Sequence, residues 1–257
     1  MNTFLSADKY VCCYFNKLTN MKKTLLLLLL PLLVITSCET NDEAPIDNQK
    51  KIKVKSFIYP NYETIINYGP NGYSTGNYSE IEGKEYKVEI VYEGNNIMYA
   101  RGYRDSELQY ETEYTYADNL IIKEENHAVK PVGNEVKERL FTYDSEKNLV
   151  KVVSTDFSGE SWIETITYKD GNRKSVTEKM AGQSDDQAYT KIFKYDDKNN
   201  YTRTMYPDNY LKIIFAGKNN LTKEPVRIET TYEYNSDDYP IKVTKYNNSS
   251  YITYFYE

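Results

Sequence analysis

The segment FTYDSEKNLVKVV, from Phe141 to Val153, holds a pattern that recurs along the chain in close variants: an aromatic residue (isoleucine at Ile90 and Ile166), one spacer, a tyrosine, then a cluster of turn formers. Aligned on the tyrosine, it falls at Tyr92, Tyr116, Tyr143, Tyr168, Tyr195 and Tyr234, with separations of 24, 27, 25, 27 and 39 residues. A period of about 26 is two strands of about eight residues and two short turns. Alternation along a strand puts both aromatics of FTY, YTY or YEY on one face, and the Asp, Asn or Gly that follows reverses the chain. Asp170-Gly171 is the clearest turn, suited to the positive φ angles of a type I′ hairpin. On this reading tyrosine ends a strand with its hydroxyl wet at the sheet margin, and aspartate turns the chain.

No apolar i, i+3, i+4, i+7 pattern is sustained past Cys38, so helices are nearly absent from the expectation. The fold class is all-β: an antiparallel up-and-down meander of β-hairpin repeats, with some 12 to 16 strands by the period count. Open sheets beyond roughly ten strands curl or close, which implies a strongly curved sheet or a partly closed barrel. The longest gap, Tyr195 to Tyr234, has room for one additional hairpin around LKIIFAGKNNLTKEPV.

The N-terminal region carries a different signal. From Met21 the chain reads MKKTLLLLLLPLLVITSCETNDE, two lysines and an apolar core from Leu25 to Ile35 before Cys38. Spanning a bilayer takes roughly 20 apolar residues, more than this run has. The spacing is that of a secretory signal ending in a lipobox, with Cys38 the lipid attachment site. The expected organisation is therefore residues 1–20 as a mis-annotated start and 21–37 as a lipoprotein signal peptide. Residues 38–50 follow as lipidated cysteine and flexible tether, and 51–257 as one β-hairpin-repeat domain. Cys12 and Cys13 would be lost with residues 1–20, leaving a mature chain without a disulfide. Membrane contact is expected through the N-terminal lipid, at the outer membrane, on the cell surface or periplasmic face.

FTYDSEKNL resembles the YD repeats of RHS-type proteins, with Lys147-Asn148 standing where those repeats carry Gly-Arg. The lipobox followed by Tyr-x-Tyr-Asp hairpins is similar to Bacteroidetes surface lipoproteins of unknown function with a porin-like fold, over about residues 50 to 257. The acidic residues Glu39, Asp42 and Glu43 resemble the surface-export signals of such lipoproteins. These resemblances imply a fold and an envelope location, with no established activity.

Composition narrows the function classes. Residues before Cys38 include Lys9, Lys17, Lys22 and Lys23 but only Asp8 as an acid, so the mature chain keeps 28 of 32 basic and 37 of 38 acidic residues. A nucleic-acid partner needs a basic footprint and is not expected. His127 is the only histidine, which argues against histidine-based metal sites and a Ser-His-Asp triad, and neither metal nor cofactor is expected. YDDKNN and NSDDY lack the spacing of a calcium loop and read as turns. An integral barrel needs a continuous apolar outer band, whereas YKDGNRKSVTEKM carries charge at both parities. GESWIET places Glu160, Trp162 and Glu164 on one strand face, read either as a sugar platform with flanking acids or as Trp162 packing with Ile166 and Tyr168. The expected function is a non-enzymatic binding or structural module. Its candidate ligand-binding residues are Trp162, Tyr143, Tyr168, Tyr195 and Tyr234, and its candidate partner is an extracellular glycan or a surface protein. The alternatives are a carboxylate-dependent glycan hydrolase and an adhesin or assembly component that adds strands to an open edge.

Overall fold

The computed structural model describes residues 52–129, 135–223, 229–245 and 250–256. The expected start, signal peptide, Cys38 and tether lie outside the described residues. Twelve strands follow one another as a meander: β1 (Val54–Tyr59), β2 (Tyr62–Tyr68), β3 (Ser74–Ile81), β4 (Lys84–Glu93), β5 (Asn96–Arg104) and β6 (Glu107–Ala117) come first. Next are β7 (Leu120–Asn126), β8 (Val136–Tyr143), β9 (Leu149–Asp156), β10 (Ser161–Lys169), β11 (Asn172–Met180) and β12 (Tyr189–Ile192). The chain then leaves the sheet through β13 (Lys194–Asn199), a one-turn helix at Tyr201–Thr204, α1 (Asp208–Ile213) and β14 (Asn219–Lys223). It returns as β15 (Thr231–Tyr234), β16 (Pro240–Lys245) and β17 (Ser250–Tyr256), and β17 pairs with β1. The result is a 15-stranded antiparallel sheet with β12 and β15 at its two ends, plus the two-stranded sheet β13–β14. Among the described residues the sheet does not close on itself.

The repeat does more than turn the chain. All six hairpins at one rim of the sheet have a tyrosine at the turn, and in each the register slips by one residue just inside the outgoing strand; at the opposite rim the Tyr103 hairpin slips in the same way and the Tyr59–Tyr62 hairpin does not. Val91 pairs with Tyr99 but Tyr92 with Ile97, and Thr142 pairs with Lys151 but Tyr143 with Leu149. The same slip follows Tyr68, Tyr116, Tyr168 and Tyr234. Each extra residue is a β-bulge, which bends and twists its strand. Bulges stacked at one rim bend the sheet coherently.

The tyrosine hydroxyls at this rim are not wet, contrary to the sequence expectation. Tyr68, Tyr92, Tyr116, Tyr143 and Tyr256 donate to the carbonyls of Val54, Ser74, Ile97, Ile121 and Pro240, at 2.5 to 3.0 Å. In each case the acceptor is the first or second residue of the preceding strand. A ring that turns inward to pack must satisfy its hydroxyl there, and an underused strand-end carbonyl is the nearest acceptor. Burial pushes the Tyr116 phenol up to about 12 and those of Tyr92 and Tyr143 higher still.

The expected additional hairpin after Tyr195 is replaced by the segment from β13 to β14, which lies against the inner face of the sheet. Ile213 joins a core cluster that runs from Ile90 on β4 to Val176 on β11. Those eight strands, at about 4.8 Å spacing, would span over 30 Å if flat. Their inner-face residues form one continuous buried cluster with Ile213, as a curled sheet allows. Tyr210 meets Tyr114 edge to face at 5.7 Å, Asn209 donates to Asn96 at 2.8 Å, and Lys212 donates to the Lys147 carbonyl at 2.6 Å. A second cluster joins Val54, Ile66, Val243 and Tyr254 to Met205 of the inserted segment. Sequence periodicity could not reveal α1 because six residues are too few to show a helical repeat.

Asparagine pairs tie this insertion together. The tripeptide Lys-Asn-Asn occurs at 198–200 and again at 218–220. Asn200 donates to the Gly217 carbonyl at 3.0 Å, Asn219 to that of Lys198 at 3.0 Å, and Asn220 to that of Asn199 at 3.0 Å. Asn219 also exchanges two bonds with Asn172 of β11, both 2.9 Å. At the other side Asn199 reaches the carbonyls of Asp237 and Asp238. The small sheet thus bridges the turns at opposite ends of the large one.

Candidate functional site

The inner face of β6 to β12 changes character with distance from the tyrosine rim. Register alone assembles two rows across the strands. One row runs Tyr114, Glu124, Arg139, Ser154, Trp162 and Met180. The next runs Phe141, Val152, Glu164, Glu178 and Tyr189, with Lys191 beside Val176 one step nearer the rim. Apolar packing near the rim therefore gives way to a charged band flanked by an aromatic strip.

Glu124 sits at the deep end of the band, 1% exposed, with Arg139 donating to it through Nε at 2.8 Å and Nη2 at 2.6 Å. Burial pushes its carboxyl up to about 7 in spite of the guanidinium. Glu164 lies directly across from Glu178, and Glu178 forms an ion pair with Lys191. Burial raises the Glu164 carboxyl above the ordinary range, and the neighbouring Glu178 charge raises it further, while Arg139, Arg173 and Lys191 pull it down. Arg173 is held between Phe193 and Phe215, its guanidinium carbon 4.2 and 4.1 Å from the ring centres. Outward from the carboxylates, Trp162 is half-buried while Met180 and Tyr189 are exposed. An aromatic strip beside oriented hydrogen-bonding groups is the chemistry with which proteins hold a polar ring that also has an apolar face.

The sequence-selected residues divide. Trp162 and Glu164 fall within this strip, but Glu160 lies in an exposed turn, its N–H donating to Asp156 at 2.9 Å. Tyr143 and Tyr168 pack against the core cluster at the rim. Tyr168 is six residues from Trp162 on the same strand, about 20 Å away at strand rise. Tyr195 belongs to β13 in the small sheet, beside Gly217. Tyr234 stacks on Tyr232 and donates to Asp196. These four tyrosines do not gather around Trp162, and the hydroxyls of Tyr143 and Tyr234 are taken up inside the protein. Sequence reading missed Glu178, Tyr189 and Lys191; a hairpin register drawn through Asp170-Gly171 sets Glu164 opposite Thr177, and it is the bulge beside Tyr168 that brings Glu178 across from it.

The acidic stretches are turn structures. Asp144 accepts from the N–H groups of Glu146 and Asn148 at 3.0 and 2.8 Å, and these bonds hold its carboxyl below the usual range. Asn235 accepts in the same way from Asp237 and Tyr239 at 3.0 and 2.9 Å. Asp196 accepts from Lys198, Asn220 and the Tyr234 hydroxyl. Among the described residues no group of three or more His, Cys, Asp or Glu side chains is placed to hold a metal ion. His127 lies just past β7, its backbone paired with Glu111 and its ring 3.8 Å from Glu113. The outer face of β4 to β6 is polar: Lys87 meets Glu89 at 2.7 Å, Arg101 pairs with Glu111, and Arg101 stacks on Tyr99 at 4.3 Å.

No protein-family model matches the chain, and no curated protein does. Among solved structures it is similar to a porin-like protein from Bacteroides uniformis, 14% identical, with a TM-score of 0.48 over 80% of this chain and 96% of that one. It is also similar to the Photorhabdus luminescens Tc holotoxin pore, 16% identical with a TM-score of 0.33, and to a TcdB2–TccC3 structure, 15% identical with a TM-score of 0.32. Each of these two likenesses takes in 73% of this chain and 11% of the toxin chain.

Proposed function

We propose that the chain is a cell-envelope protein, anchored by lipid at Cys38, whose sheet is a non-enzymatic binding module for an extracellular glycan. The observation that carries the ligand is the inner strip, where Trp162, Met180 and Tyr189 stand on three successive strands beside Glu164, Glu178 and Lys191. Aromatic faces stack on sugar rings, and the carboxylates and ammonium reach the hydroxyls. The lipobox spacing supports the anchor. The rim tyrosines serve as architecture in this reading.

Trp162 is the single tryptophan, so its fluorescence reports on the strip without interference. Titration with soluble polysaccharides of neutral, N-acetylated and uronic composition is expected to give saturable quenching with one class, weakened at least tenfold in Tyr189→Ala. Flat titrations with every class would overturn the glycan assignment.

One observation favours a second reading, a carboxylate-dependent glycan hydrolase. Glu164 and Glu178 face each other, and burial favours the protonated form of Glu164, as a general acid requires. New reducing ends during the same titrations, abolished in Glu164→Gln, would decide for it.

A further inference from the structure

The two ends of the large sheet are treated differently. At β15 the small sheet lies alongside: Thr230 donates to the Thr222 carbonyl at 2.8 Å, and the Tyr232 hydroxyl to that of Leu221 at 2.7 Å. At the other end, β12 has a strand neighbour on one side only among the described residues. Phe193 N–H donates to the Lys174 carbonyl, so in an antiparallel ladder residues 189, 191 and 193 direct their backbone groups to β11. Thr190 and Ile192 direct theirs outward. This short strand also concentrates apolar exposure, with Tyr189 51% and Ile192 62% exposed. Edge strands are commonly protected by an inward charge, but Lys191 is already paired with Glu178.

We infer that β12 is a self-association edge, on which a second copy of this chain pairs antiparallel about a twofold axis at Thr190. An isologous pairing must be self-complementary, and this register is. Thr190 faces its own copy as a mutually hydrogen-bonded pair, the Lys191 ammonium lies against the partner's Tyr189 ring, and Ile192 lies against the partner's Ala188. The inner faces become continuous, so the partner's Lys191 extends the row that ends in Glu178 and Tyr189. The pairing stands whether or not that row binds a glycan.

The test uses the full chain with Cys12, Cys13 and Cys38 replaced by serine. Its mass in solution is expected to rise from one chain to two with concentration, while folded Thr190→Pro, which removes an outward N–H, stays at one. In the same background Thr190→Cys is expected to form disulfide dimers under mild oxidation at least tenfold faster than Ile192→Cys. Facing Cα atoms in a hydrogen-bonded pair are about 5.5 Å apart, within disulfide reach, whereas Ile192 is displaced along the strand from its own copy. A one-chain mass at every concentration, or equal cross-linking at the two positions, would overturn the edge pairing. Glycan titration of Thr190→Pro separates the two ideas, since a monomer that still quenches keeps the strip and a dimer that never quenches keeps the edge.

Discussion

At the scale of single residues, the aspartate after the tyrosine acts through geometry more than charge. The loops that follow Tyr143 and Tyr234 share one hydrogen-bond pattern, although the first is led by Asp144 and the second by Asn235. In both, one side-chain oxygen accepts two backbone N–H groups, a job that either an amide or a carboxylate performs. Asp144→Asn is therefore expected to leave the urea midpoint nearly unchanged, and Asp144→Ala to lower it measurably. Urea unfolding of both variants checks this, and equal losses would show that the charge matters. Phe215 gives the opposite lesson, where a local cost is offset elsewhere. It takes φ of 58° just past α1, a position that glycine usually fills, while Ala216 N–H closes onto the Leu211 carbonyl at 3.0 Å. Its ring is retained there to cover one face of the Arg173 guanidinium.

At the scale of strands and hairpins, bulges and close approaches shape the sheet. Gly102 on β5 lies directly beneath the Tyr110 ring of β6, and a Cβ built at Gly102 would fall 2.1 Å from a ring carbon. Gly102→Ala is expected to cost about 2 kcal/mol or more by overpacking. Because the clash is with one side chain, most of that cost should disappear when the substitution is made in a Tyr110→Ala background. A double-mutant cycle by chemical denaturation reads the coupling, and additive losses would contradict the ring-over-glycine account. These elements were legible in the sequence to different degrees. The hairpin period, the inward pairing of Tyr114 with Tyr116 and the Asp170-Gly171 turn, with φ of 53° and 77°, could be read because each is local chemistry. The bulges could not, since an extra residue in one strand leaves no mark in a pattern of alternation that resumes beyond it. The destinations of the tyrosine hydroxyls and the Glu164–Glu178 pairing depend on register, which is fixed between strands. The insertion was misread because its anchors, the two Asn-Asn pairs, look like ordinary loop composition.

At the scale of the molecule, the buried acids make stability depend on pH in an unusual direction. The folded carboxyl of Glu124 lies near 7, above the value of 4.5 it takes in an open chain. A group raised in this way gives its full stabilisation below about pH 4.5 and loses it as pH rises through about 7. Across that window the loss is on the order of 3 kcal/mol. Glu124→Gln lowers stability overall by leaving Arg139 without its ionic partner, but its unfolding free energy should fall less between pH 5 and 8 than that of the parent protein. Parallel pH profiles for the two proteins would sink this assignment. The pairing of β1 with β17 carries a consequence measured in time. Val54 meets Tyr256 across a ladder whose partners are separated by about 200 residues of chain. At roughly 5 to 20 residues per second, a ribosome needs about 10 to 40 seconds to deliver the second strand after the first. Through that interval one side of β1 has no partner, and the nascent meander must be kept from annealing to its neighbours until the chain circles back to the strand from which it set out.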